Sequence, residues 1–181
     1  MIHRPARAHA IVLLALGAVA LATGALIGCT PRPAPSPTPA AVFATEQDAF
    51  AAAEDVYRAY NEAVNESRDN EQTLAPEDFL TGQILAAETA ASQTLEESHI
   101  HLEGHTQILE FAGVSADKGV AVSKVVARVC LDIENVRAID ADGNDVTTIG
   151  RSDLYGLDVE FSGNNNSLLI SDYEVNSEIP C

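Results

Sequence analysis

Apolar and polar positions change their rhythm several times along the chain. Residues 10–27 (AIVLLALGAVALATGALI) carry no charge. Residues 31–39 (PRPAPSPTP) hold five of the eight prolines, which fix φ and lack an N–H, so neither helix nor sheet is expected there. Residues 46–66 then place apolar side chains at Ala49, Phe50, Ala53, Val56, Tyr57, Tyr60, Ala63 and Val64. That spacing predicts a helix with one apolar stripe. Thr45 and Asp48 form a capping-box start, and Glu54, Arg58 and Glu62 form an ion-pair ladder on the polar side. Pro76 opens a second, short helical region through Phe79-Leu80, with Glu77 and Asp78 at its positive end. Thr81-Gly82 breaks it, and residues 83–97 (QILAAETAASQTLEE) predict a third helix; one longer helix containing Gly82 is the alternative.

Beyond His99 the rhythm is that of strands. Residues 99–111 alternate, with Ile100, Leu102, Thr106 and Ile108 on one side and Gly104 between them. Residues 119–133 are β-branched, with Val125, Val129, Leu131 and Ile133 on one face and Lys124, Arg128, Cys130 and Asp132 on the other. Residues 153–161 turn Tyr155, Leu157, Val159 and Phe161 one way, and residues 167–176 add a last strand. Gly163 with Asn164, Asn165 and Asn166 predicts a hairpin turn, and Asp142-Gly143-Asn144 another. Helices followed by antiparallel strands give an α+β class, with three N-terminal helices on a sheet of about four strands.

Composition narrows the function. The 181 residues carry 10 Lys+Arg against 27 Asp+Glu, a net charge of −17. Nucleic-acid binding rests largely on Lys and Arg neutralising phosphates, so nucleic acid is excluded as a partner. No Ser/His/Asp signature, phosphate loop or dinucleotide fingerprint is present, so no cofactor is expected.

The charges are also unevenly placed. Residues 1–10 contain Arg4 and Arg7 and no acid, and the apolar run ends in Leu26-Ile27-Gly28-Cys29. A positive start, an apolar stretch and a small residue before the cut make a secretory signal. The tetrapeptide resembles the lipobox of bacterial lipoproteins. The resemblance implies a lipid on Cys29, cleavage between Gly28 and Cys29, and an exported protein held on the outer face of the cytoplasmic membrane. The alternative is an uncleaved anchor. The expected organisation is a signal peptide at 1–28, a lipidated Cys and Pro-rich linker at 29–44, and a folded domain at 45–181. Extended as polyproline II, the nine residues 31–39 span roughly 28 Å, a spacer above the membrane.

With Cys29 lipidated, Cys130 and Cys181 remain, and an even pair in oxidising surroundings tends to bridge. Two free thiols are the alternative.

The order of three helices and then a bent antiparallel sheet resembles the NTF2-like (cystatin-like, SnoaL-like) superfamily, whose sheet closes a cone. The stretch Arg128-Val129-Cys130-Leu131-Asp132, followed by Val136 through Gly143 and by Cys181, is similar to actinobacterial lipoproteins that carry such a domain. No ketosteroid-isomerase-type catalytic pattern maps onto these residues, so the resemblance implies no catalytic assignment. It places Tyr57, Tyr60, Phe79, Tyr155, Phe161 and Tyr173 inward, where they line a pocket or fill a core.

Two further constellations carry chemistry. His99, His101 and His105, with Glu103, alternate along a strand, and imidazoles two residues apart share a face that suits Zn²⁺. Gly104 can bend the strand and take His105 out of register, leaving a polar outer face. Asp140, Asp142, Asn144 and Asp145 resemble a calcium loop, but Gly143 stands fourth and Arg151 twelfth, so the segment reads as a turn. The reading is a lipid-anchored, non-catalytic domain binding an envelope protein or a small ligand. The alternatives are an isomerase/dehydratase- or hydrolase-type enzyme in the pocket, or a metal-binding lipoprotein using the histidines.

Overall fold

The structure, a computed structural model, describes residues 42–181 apart from 72, 118, 165, 166, 179 and 180. The signal segment, Cys29, the proline run 31–39, and Asn165 and Asn166 lie outside the described residues.

Helix α1 spans Glu46–Arg68. The Thr45 hydroxyl accepts from the Asp48 amide at 3.0 Å, and the Asp48 carboxylate accepts from the Thr45 amide at 3.0 Å, so both ends of the capping box close. Arg58 donates to Glu54 at 2.9 Å on the exposed side. The inward face is Ala49, Ala53, Tyr57 and Ala63. Its small residues let the helix approach the sheet closely. A Cβ on Gly113 of the sheet would lie 2.3 Å from the Phe50 ring, so the ring rests directly on the strand backbone.

A 3-10 helix covers Pro76–Phe79, and α2 covers Gly82–Glu97. Six strands follow: β1 His101–Glu103, β2 Gln107–Asp117, β3 Ser123–Asp132, β4 Arg137–Ile139, β5 Leu154–Gly163 and β6 Leu169–Val175. Strands β2-β3-β5-β6 form one antiparallel sheet in that order, and β1 pairs with β4 in a separate two-stranded sheet. Helix α1 packs on β2 and β3, and α2 on β6. The core holds Val125, Val129, Val159, Phe161 and Ile170, all without solvent exposure. Each such aliphatic or aromatic side chain contributes roughly 1.5–3 kcal/mol by leaving water. The opposite face of the sheet is polar, with cross-strand Arg128–Asp158 and Lys124–Glu160 pairs.

The expected three helices on a single sheet, the NTF2-like cone, are corrected by this architecture. Among the described residues there are two α-helices, packed against two antiparallel sheets. Residues 76–79 stop after one 3-10 turn because the next residue is already sheet-like. Leu80 is extended and bridges Ile170, and the Thr81 amide donates to the Ile170 carbonyl at 2.9 Å. The stretch read as one strand from 99 to 111 is broken at Gly104. Its φ is +82°, and a Cβ there would lie 2.1 Å from the Asn135 carbonyl oxygen, so only glycine fits. The short strand before it therefore leaves the main sheet and pairs with 137–139.

Cys130, buried on β3, is disulfide-bonded to Cys181 with 5.5 Å between the Cα atoms. The bond ties the end of the chain back to the middle of the sheet. Asp140 accepts from the amides of Asp142 at 2.9 Å and Asn144 at 2.8 Å, which makes residues 140–144 a turn around its own carboxylate.

Candidate functional site

A cleft of about 680 Å³ opens between the C-terminal half of α1, the helix α2 and one end of the sheets. This lies within the ~300–1,000 Å³ range of small-molecule sites. The α1 wall is Tyr57, Tyr60, Val64 and Arg68, which recur every three or four residues and so share a face. The α2 wall is Glu88, Ser92 and Glu96, one every four residues. Leu131 of β3, Leu157 of β5 and Tyr173 of β6 line the sheet side, with Leu102 of β1 and Thr106 just before β2.

The site is built on an aromatic corner. The Tyr57 and Tyr60 rings lie 6.0 Å apart by centroid, inclined at 57°. Behind them Tyr57 meets Phe161 edge-on at 6.5 Å and Phe111 at 6.3 Å. Tyr57 is only 3% exposed, and it lines the cleft. Burial pushes the Tyr57 and Tyr60 phenols far above the ordinary tyrosine range, and Glu88 adds to the effect at Tyr60. Tyr173 donates its hydroxyl to the Glu88 carboxylate; burial, followed by that bond, raises its phenol as well.

A polar clamp fixes the opposite end. The Asn65 carboxamide accepts from the Thr106 amide at 2.9 Å and donates to the Thr106 carbonyl at 3.0 Å. Asn61 donates to the same carbonyl at 3.1 Å. One Arg68 nitrogen donates to the Gly104 carbonyl, at 3.2 Å, and to the Thr106 hydroxyl, at 3.0 Å. Helix α1 thereby replaces a strand as the hydrogen-bonding partner of residues 104–106, and desolvation lowers the Arg68 pKa.

Of the six aromatic residues expected to face inward, the cleft brings together Tyr57, Tyr60 and Tyr173. Phe161 belongs to the core beneath them. Phe79 and Tyr155 are half-buried and stand outside the cleft lining. The histidines do not converge. His99 sits in a left-handed turn with φ 53°, His101 faces Glu103 at 3.1 Å, and His105 faces Asp69 at 2.7 Å. Among the described residues no group of three His, Cys, Asp or Glu side chains is placed to hold a metal ion. The cause is again the break at Gly104, which sends His105 toward the end of α1. A shallower polar groove of about 390 Å³ lies there, between Arg58, Glu62 and His105.

Among the described residues His101 and His105 each meet a carboxylate, and no hydroxyl or thiol hydrogen-bonds to either ring. The Glu88, Ser92 and Glu96 stripe, Arg68 and Asn65 are the site residues that the sequence reading missed. The signal for the stripe was a polar side chain every fourth position in an otherwise Ala-rich helix, a pattern shared with any solvated helix face.

No family model matches the chain, and no curated protein matches it. Among solved structures it is similar to the intermembrane space region of the chloroplast protein ARC6, with a TM-score of 0.51 and 14% identity over 70% of this chain and 95% of that one. At that identity the likeness concerns the fold alone, and it stands in place of the NTF2-like cone expected from element order.

Proposed function

We propose that the chain is a lipid-anchored, exported binding domain of the cell envelope, with no catalysis of its own, and that it holds a small ligand in the α1–α2 cleft. The cleft is the observation that carries this reading. It offers an aromatic and aliphatic interior, a few fixed polar groups and an open side, the usual make-up of a ligand site. The anchoring half rests on Leu26-Ile27-Gly28-Cys29 behind an uncharged run. A proline spacer and a strongly acidic surface suit a domain kept away from anionic lipid headgroups.

Metabolic palmitate labelling of cells making the whole chain tests the anchor. The label is expected in the membrane fraction and is lost in Cys29→Ala; labelling that survives the substitution contradicts it.

A further inference from the structure

We propose that the cleft selects a small organic cation, an ammonium or guanidinium group on an apolar body, with the charge against Glu88 and Glu96 and the body against the tyrosine corner. The inference rests on the cleft being a ligand site and adds the class of ligand.

Charge within the cleft is one-sided. Glu77, Glu88 and Glu96 line it, and Arg68 is the one Lys or Arg among its lining residues. One guanidinium nitrogen of Arg68 already donates to Asn65, Gly104 and Thr106. Some carboxylates elsewhere in the described residues find basic partners, as in Glu54–Arg58, Asp158–Arg128 and Glu160–Lys124. None of the three cleft glutamates has one; Glu88 is bonded only to a neutral phenol. Glu88 is half-buried, and a carboxylate partly withdrawn from water attracts a cation more strongly than exposed ones such as Glu77 and Glu96 do.

The second observation is independent of the acids. Tyr57 is almost wholly buried and lines the cleft, and no hydrogen bond from its hydroxyl is found among the described residues. The hydroxyl is therefore open to a polar group of a ligand in the cleft. The tilted Tyr57 and Tyr60 rings supply two aromatic walls, and organic cations gain about 0.5–2 kcal/mol against such rings. An anion would instead meet three carboxylates, with Arg68 and His101 as the basic lining residues.

The chain has no Trp and four tyrosines, three of them in the cleft, so its intrinsic emission reports on this site. The whole chain, in micelles of an uncharged detergent, is titrated with benzyltrimethylammonium, benzyl alcohol and phenylacetate. The cation is expected to change tyrosine emission saturably and to bind about tenfold tighter than the alcohol and more tightly still than the anion. Glu88→Gln with Glu96→Gln should remove that preference, whereas Glu110→Gln on the exposed β2 strand should leave it intact. The amide at 88 can still accept the Tyr173 bond. Equal binding of cation and alcohol overturns the proposal and leaves the cleft as a ligand site. Tighter binding of phenylacetate, lost in Arg68→Gln, overturns it in favour of an anion site. No saturable change with any of the three overturns both this proposal and the ligand-site reading.

Discussion

The Tyr173 hydroxyl donates a hydrogen bond to the Glu88 carboxylate and so joins the last strand to α2. This contact matters because α2 is poorly anchored otherwise: Ile84 is its one buried residue. Tyr173→Phe should therefore destabilise the domain by about 1.5–3 kcal/mol, the range for a bond to a charged group. Backbone amides of α2 should exchange faster, while those of α1 and β3 change little. Urea unfolding with residue-resolved hydrogen exchange checks both. Uniform acceleration across all elements would mean that the bond supports the whole fold and not this wall.

The cleft phenols make stability sensitive to alkali. Tyr57, Tyr60 and Tyr173 all have folded-state pKa values raised above the ordinary value, burial being the first cause in each. A raised folded pKa means that the folded state holds its proton more tightly than the unfolded chain does. The stability tied to these protons is complete below about pH 10, where unfolded tyrosine begins to ionise, and is lost as pH climbs above it. Ultraviolet absorbance of tyrosinate, followed with circular dichroism, should show these three phenols ionising together with unfolding. Ionisation of all four tyrosines near pH 10 in a chain that remains folded would contradict the burial of these three.

Asn65 meets both backbone groups of Thr106, which a side chain can do only if it donates and accepts at once. Asn65→Asp keeps the acceptor and loses the donor; Asn65→Leu loses both. The aspartate variant should cost about 1–2 kcal/mol and the leucine variant about 2–4 kcal/mol, since the latter strands a buried amide. Thermal and urea unfolding give the comparison. Equal stability of all three would show that water replaces the carboxamide.

The bond between Cys130 and Cys181 closes a loop with a sequence separation of 51. A loop of that length restricts the unfolded chain by about 4 kcal/mol in the entropy model. Cys130→Ala with Cys181→Ser should lose most of that, and a reducing agent should lower the wild-type urea midpoint to match the double variant. No difference between reduced and oxidised protein would count against the bridge.

What the sequence disclosed follows from which interactions are local. The first helix was legible because its apolar stripe and its cap lie within a few residues of each other, and Thr45 and Asp48 close as their spacing predicts. The β-branched run through Val125 and Val129 was legible for the same reason. The short turn at 76–79 was misread because its end is decided by Ile170, far along the chain. The two-stranded β1–β4 sheet was hidden because it depends on the close approach of Gly104 to Asn135. The same contact separates the histidines, which sequence alternation alone would have aligned. In the site, the tyrosines stood out as aromatic residues on an apolar stripe. Glu88, Ser92 and Glu96 did not, since a polar helix face looks alike whether it meets water or a cleft. Arg68 and Asn65 were invisible because their partners are backbone atoms.

Chemical-shift mapping on the isotope-labelled whole chain tests the central claim, that the space between α1 and α2 is a ligand site. Benzyltrimethylammonium is added stepwise, and the shifted amides are assigned. The account predicts saturable shifts gathered around Tyr57, Tyr60, Glu88, Leu102 and Tyr173. Shifts gathered instead on the exposed β2 strand near Leu109 and Val114, or no saturable shifts at all, would contradict it.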